Sequence, residues 1–111
     1  MFFPGETVAH RFTINILKDG IGRILVTYKQ DNKTILQKSV YFGDIEEDYA
    51  KRCCYFTVSL SQEESLLFRN NKDFKIQLNI IFRSGARATS VELDGSNGIQ
   101  HMRKVVNINA Q

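Results

Sequence analysis

The chain reads as an all-β protein, an antiparallel β-sandwich of immunoglobulin-like layout with about seven strands and one short helical turn. Three observations carry that reading. Phe74, Ile76, Leu78, Ile80 and Phe82 alternate with Lys75, Gln77 and Asn79. This period of two marks a strand with one buried and one wet face. Cys54, Phe56, Val58 and Leu60 repeat the period. Between the two runs, Ser61 and Glu64 match a helix capping box, in which each residue bonds the other's backbone N–H.

The remaining elements follow in chain order. Val8, His10, Phe12, Ile14 and Ile16 share a face, so residues 7–16 form the first strand. Lys18-Asp19-Gly20 is a turn. Ile24, Val26 and Tyr28 set the phase of a second strand over 23–30, and Asp31-Asn32 signals a hairpin into a third over 34–42. Residues 43–51 carry Asp44, Glu46, Glu47 and Asp48 and are expected to be a loop, because such a run cannot pack inward without losing hydration. A fourth strand covers 52–60. The capped turn then spans Gln62 to Leu67, with Leu66, Leu67 and Phe68 expected to cover an open end of the core. After the polar turn 69–72, the fifth strand runs over 74–83 and the sixth over 86–93. Asp94 to Gly98 reads as a loop, and Val105 to Asn109 as either a seventh strand or a tail that docks on another subunit. A small barrel is the alternative closure of the same strands.

With 111 residues, 42% hydrophobic and 24% charged, the chain is one domain large enough for a core without staples. Lys and Arg are scattered rather than clustered, so the net charge of +3 argues for solvated strand faces over a nucleic-acid stripe. No stretch approaches the ~18 apolar residues of a membrane span, and the opening Met-Phe-Phe-Pro-Gly-Glu lacks a signal-peptide pattern. Folding in a cytoplasm is the expectation.

Chemistry-bearing residues are few. His10 falls in phase with the core, and His101 stands apart from it. Cys53 and Cys54 are neighbours on a strand, so they face opposite ways and cannot readily bond to each other. The acidic run lacks the register and central Gly of a calcium loop. Gly95 to Gly98 does not lie between a strand and a helix, as a phosphate cradle would. Phe12, Tyr28 and Phe56 fall on core positions, whereas Tyr41 and Tyr55 fall on the surface. No catalytic residues, cofactor or metal ligands are expected. The sites of interest are the termini: Phe2 and Phe3, followed by Pro4, either pack over the open edge of the sandwich or dock on a neighbouring subunit.

Residues 56–68, the strand opening at Phe74-Lys-Ile-Gln-Leu, and Ser84-Gly-Ala-Arg-Ala-Thr-Ser90 carry a resemblance. They are similar to small structural proteins of tailed phages and prophages of Gram-positive bacteria, and more distantly to the N-terminal β-sandwich of phage baseplate upper proteins. Pro4-Gly5-Glu-Thr7 and Phe12-Thr-Ile14 fit the same pattern. The resemblance implies a non-enzymatic virion component of tail, baseplate, neck or capsid surface. It would act through protein–protein contacts with other phage structural proteins or copies of itself. The acidic loop and the Cys53-Cys54 pair depart from the pattern. Interface residues expected on this reading are Phe2, Phe3, Arg103, Lys104, Val105, Val106 and Ile108. The alternative is a nucleic-acid-binding accessory protein, motivated by the basic balance and the sheet aromatics.

Overall fold

The pairing of β2 (Ile21–Gln30) with β6 (Phe74–Phe82) forms the centre of one of two sheets in the computed structural model. The structure describes residues 8–68 and 74–90, together with the backbone of 93–95 and 102–106. The remaining elements are β1 (Val8–Ile14), β3 (Lys33–Tyr41), a 3-10 turn (Phe42–Asp44), β4 (Glu46–Asp48), β5 (Cys53–Leu60), α1 (Gln62–Ser65), β7 (Arg87–Thr89), β8 (Leu93–Gly95) and β9 (Met102–Val106). One sheet has the order β4-β5-β1-β9. The other has the order β3-β2-β6-β7, with β8 also on β6. All pairings are antiparallel except β1 with β9, which is parallel.

The alternation read from the sequence sets both inner faces. Val8, Phe12 and Ile14 on β1 and Cys54, Phe56, Val58 and Leu60 on β5 are buried from one sheet. Ile24, Val26 and Tyr28 on β2 and Phe74, Ile76, Leu78 and Ile80 on β6 meet them from the other. Two backbone devices fix the register. Asp31 and Asn32 both hold positive φ, as a two-residue type I′ hairpin turn requires. At Gly22 the β2–β6 register shifts, and a Cβ there would stand 3.0 Å from the Ile81 carbonyl oxygen. That close approach is why a glycine occupies the bulge.

The structure corrects several boundaries. The acidic segment is no plain loop: Ile45 is buried as an anchor, and Glu46–Asp48 pair with Tyr55–Cys53 as an edge strand. An edge strand needs only one paired side, so its carboxylates stay hydrated. The expected sixth strand is two: β7 and β8 follow one another along the same side of β6. Ser90 interrupts the line. Its Oγ accepts from the Leu78 N–H, and its own N–H bonds the Leu78 carbonyl. Asp94 and Gly95 therefore lie in a strand. The last strand begins at Met102, earlier than Val105, and runs parallel to β1.

The Ser61–Glu64 capping box forms in both directions. The turn ends sooner than expected, at Ser65. Of the three apolar residues after it only Phe68 is buried, edge-on to Tyr28 and Phe74. Leu66 and Leu67 remain 62% and 53% exposed. One helical turn has room for a single inward residue at its exit.

The energetic weights of cap and core differ. Leu78→Ala opens a cavity between the sheets and is expected to cost about 2–5 kcal/mol, and Ser61→Ala about 0.5–2 kcal/mol. Urea titrations should show the larger midpoint loss for Leu78→Ala; equal losses would mean that Leu78 is not a core residue.

Candidate functional site

Where β3 and β5 lie at the borders of opposite sheets, the sandwich has an open seam. A groove of about 480 Å³ follows it, lined by Val40 from β3, Phe56, Thr57, Val58 and Ser59 from β5, and Asp44 from the 3-10 turn. Its geometry follows from strand lengths. β5 has eight residues, but β4 pairs only with Cys53, Cys54 and Tyr55. Among the described residues, nothing pairs with the outer side of Phe56 to Leu60.

One ion pair crosses the seam. At one end Lys38 of β3 donates to both carboxylate oxygens of Glu64 on α1, at 2.9 and 2.7 Å. Burial works to raise the Glu64 carboxyl, but the Lys38 ammonium and the Ser61 backbone N–H outweigh it, so the net shift is downward. The Arg11 guanidinium lies 4.3 Å from the Tyr55 ring centroid, a contact within one sheet beside the groove. A hydrogen bond to Glu46 and its charge raise the Tyr55 phenol. Nearby, Phe42 is held between Lys18 Nζ at 4.4 Å and Arg83 Cζ at 4.6 Å. Lys18 also donates to the Ile45 carbonyl, and its backbone N–H to Glu47. These contacts pin the turn that leads into β4.

The other chemistry-bearing residues serve the interior. His10 is fully buried on β1, and its Nδ1 lies 2.8 Å from the Tyr28 hydroxyl on β2. Its ring stacks on Phe74. Burial, and then the charge of Glu64, pushes the Tyr28 phenol up. Cys54 is buried and Cys53 half-exposed, in the opposed orientation expected of strand neighbours. Burial first, and then Cys53, pushes the Cys54 thiol up to about 11. Tyr41 is exposed and Tyr55 half-buried, as their phase implies. Among the described residues no group of three His, Cys, Asp or Glu side chains converges as a metal site. No helix among them is long and apolar enough to cross a membrane.

Of the expected interface residues, Arg103, Lys104, Val105 and Val106 lie on β9, at the border of the β4-β5-β1-β9 sheet opposite β4. Phe2, Phe3 and Ile108 lie outside the described residues, as do His101 and Gly98. Sequence reading missed the seam. One signal pointed to it: Phe56-Thr-Val-Ser-Leu60 carries no charge, whereas the other border strands do.

No protein-family model matches the chain, nor does any curated protein sequence. Among solved structures, a fimbrial assembly protein from Parabacteroides distasonis ATCC 8503 superposes with a TM-score of 0.60 at 8% identity. The match covers 95% of this chain and 53% of that one. A γ-CGTase from alkalophilic Bacillus clarkii superposes at a TM-score of 0.45 and 11% identity, over 91% of this chain and 15% of that one. The chain thus spans about half the length of the fimbrial protein. At these identities the likeness to the fimbrial protein shows the fold alone, and the second match carries no argument.

Two outcomes follow from the site chemistry. Iodoacetamide at neutral pH should alkylate Cys53 in the folded protein and spare Cys54, as peptide mapping would report; equal labelling would contradict the burial of Cys54. A carboxyl whose folded pKa is depressed adds stability above its unfolded value of ~4.3 and loses it as pH falls through the folded value. Urea midpoints measured from about pH 6 down to about pH 3 should therefore fall less in Lys38→Met than in the parent chain. An unchanged acid loss would remove Glu64 from that account.

Proposed function

We propose that the chain is a non-enzymatic structural or adaptor component of a bacteriophage particle, present in many copies and acting through protein–protein contacts. The observation that carries this reading is what the fold leaves outward. Among the described residues, His10 and Cys54 are buried and only the Cys53 thiol is partly exposed. Among the described residues the exposed large apolar side chains are Tyr41, Tyr49, Leu66 and Leu67, at 56%, 68%, 62% and 53%. Tyrosine and leucine anchors with incompletely paired strands suit contact with another protein surface. The phage setting rests on the resemblance of residues 56–68 and 74–90 to phage structural proteins. Several cations are already engaged within the chain, Lys38 by Glu64, Arg11 by Tyr55, and Lys18 and Arg83 by Phe42. That arrangement favours a protein partner over a phosphate backbone.

Quantitative mass spectrometry of purified particles should find the chain at several copies per particle. Absence from particles, with steeply salt-dependent binding to duplex DNA, would favour the nucleic-acid reading instead.

A further inference from the structure

Register sets the outer face of the β3-β2-β6-β7 sheet in rows. Across one end run Tyr41, Arg23, Ile81 and Arg87, one from each strand. The phase is fixed by their buried neighbours Val40, Ile24, Ile80 and Ala88, which face the core. Hydrogen bonds along the rows behind, from Gln37 to Thr27 and from Thr89 to Asn79, lie on the same outer face. Lys29 and Lys75 end the face, where Asp94 is level with Lys75. Among the described side chains these rows hold no carboxylate. Arg23, Arg87 and Tyr41 are exposed, with Ile81 half-buried between the arginines. Among the described residues neither guanidinium has an ion pair or a hydrogen bond.

Carboxylates are concentrated on the segment that leads into β4. Asp44 and Glu46 are exposed there, and both line the groove. Arg11 and Lys38 in the same lining are already held, by Tyr55 and Glu64. Glu46 takes its hydrogen bond from a neutral donor, the Tyr55 hydroxyl. Among the described residues neither Asp44 nor Glu46 has an ion pair. Each patch also carries an exposed tyrosine, Tyr41 on the basic row and Tyr49 just past β4. Charge on a border strand guards against stray strand pairing. That accounts for Glu46 on β4, but not for Arg23 on β2, which is a central strand.

We propose that the Tyr41–Arg23–Ile81–Arg87 row is a docking strip for the Asp44–Glu46 segment of a second copy of this chain. The idea rests on the assembly role argued above and specifies its contact. Charge complementarity selects the occupant, since one chain carries both a cationic row and an acidic segment without ion pairs of their own. Guanidinium planes can bond a carboxylate through two N–H groups at once, and Tyr41 and Ile81 supply the apolar part of the contact. Arg23 and Arg87 stand two strand spacings apart, ~10 Å, so two carboxylates can be met together. Within one copy the two patches do not meet, because β4 is held in the other sheet by its pairing with β5. The two surfaces differ, so the contact either closes reciprocally into a dimer or repeats into a ring or row.

The test is charge exchange on the full chain. Sedimentation in about 0.02 M salt should show concentration-dependent association that disappears in about 0.5 M salt, where screening acts within a few ångströms. Arg23→Glu with Arg87→Glu should abolish the association, and so should Asp44→Lys with Glu46→Lys. An equimolar mixture of the two double variants should restore it, because the reversed row of one meets the reversed segment of the other. Far-ultraviolet circular dichroism of each variant checks that it is folded. A parent chain that stays monomeric at low salt, association that survives either reversal, or a mixture of folded variants that stays monomeric would overturn the proposal. So would an arginine variant that loses binding to duplex DNA while its self-association is unchanged, which would assign the row to phosphate. Charge-exchangeable association with the chain absent from particles would sink only the virion role. A chain present in particles yet monomeric at low salt would sink only the docking strip.

Discussion

The register between β2 and β6 is the constraint on which the rest depends. Ile24 faces Ile80, Val26 faces Leu78 and Tyr28 faces Ile76, and all six are fully buried. A slip of β6 by one residue would turn Ile76, Leu78 and Ile80 to solvent and bring Lys75, Gln77 and Asn79 inward. The Gly22 bulge sets this register at the start of β2, and the Asp31-Asn32 turn sets the register of β3 on β2 at its end. β3 and β7 then inherit their positions from the strands they pair with. The second sheet has no choice but to present a complementary apolar face.

The inner faces were legible because alternation is local, needing only a strand and its neighbours at two-residue spacing. Phe56, Val58, Leu60, Ile76, Leu78 and the Ser61–Glu64 box could all be placed this way. The misread elements are those whose state depends on a distant partner. Glu46–Asp48 looks like a loop until Cys53–Tyr55 supplies one side of a ladder. Residues 86–93 look like one strand until Ser90 bonds both backbone groups of Leu78. The parallel pairing of β9 with β1 joins segments about ninety residues apart, and no local pattern encodes it. The seam escaped notice for the same reason, since it exists only where β4 stops short of β5.

One ion pair crosses that seam. Lys38 of β3 and Glu64 of α1 form a charge-assisted pair held in place by the helix cap. Arg11 over Tyr55 stays within one sheet, and Lys18 and Arg83 hold Phe42 on the turn between β3 and β4. The groove beside them carries charge of both signs, with Arg11, Lys38, Asp44 and Glu46 in its lining.

One buried contact has a bearing on how the two layers sit on each other. Apolar packing is nearly indifferent to small displacements of one sheet across the other, because a methyl group accepts many neighbours. The His10 Nδ1 to Tyr28 hydroxyl bond, at 2.8 Å, joins β1 of one sheet to β2 of the other and is directional. It acts as an alignment key. Any lateral slide or rotation between the layers would break a hydrogen bond between two fully buried groups, so the sandwich is held to one setting of its two halves.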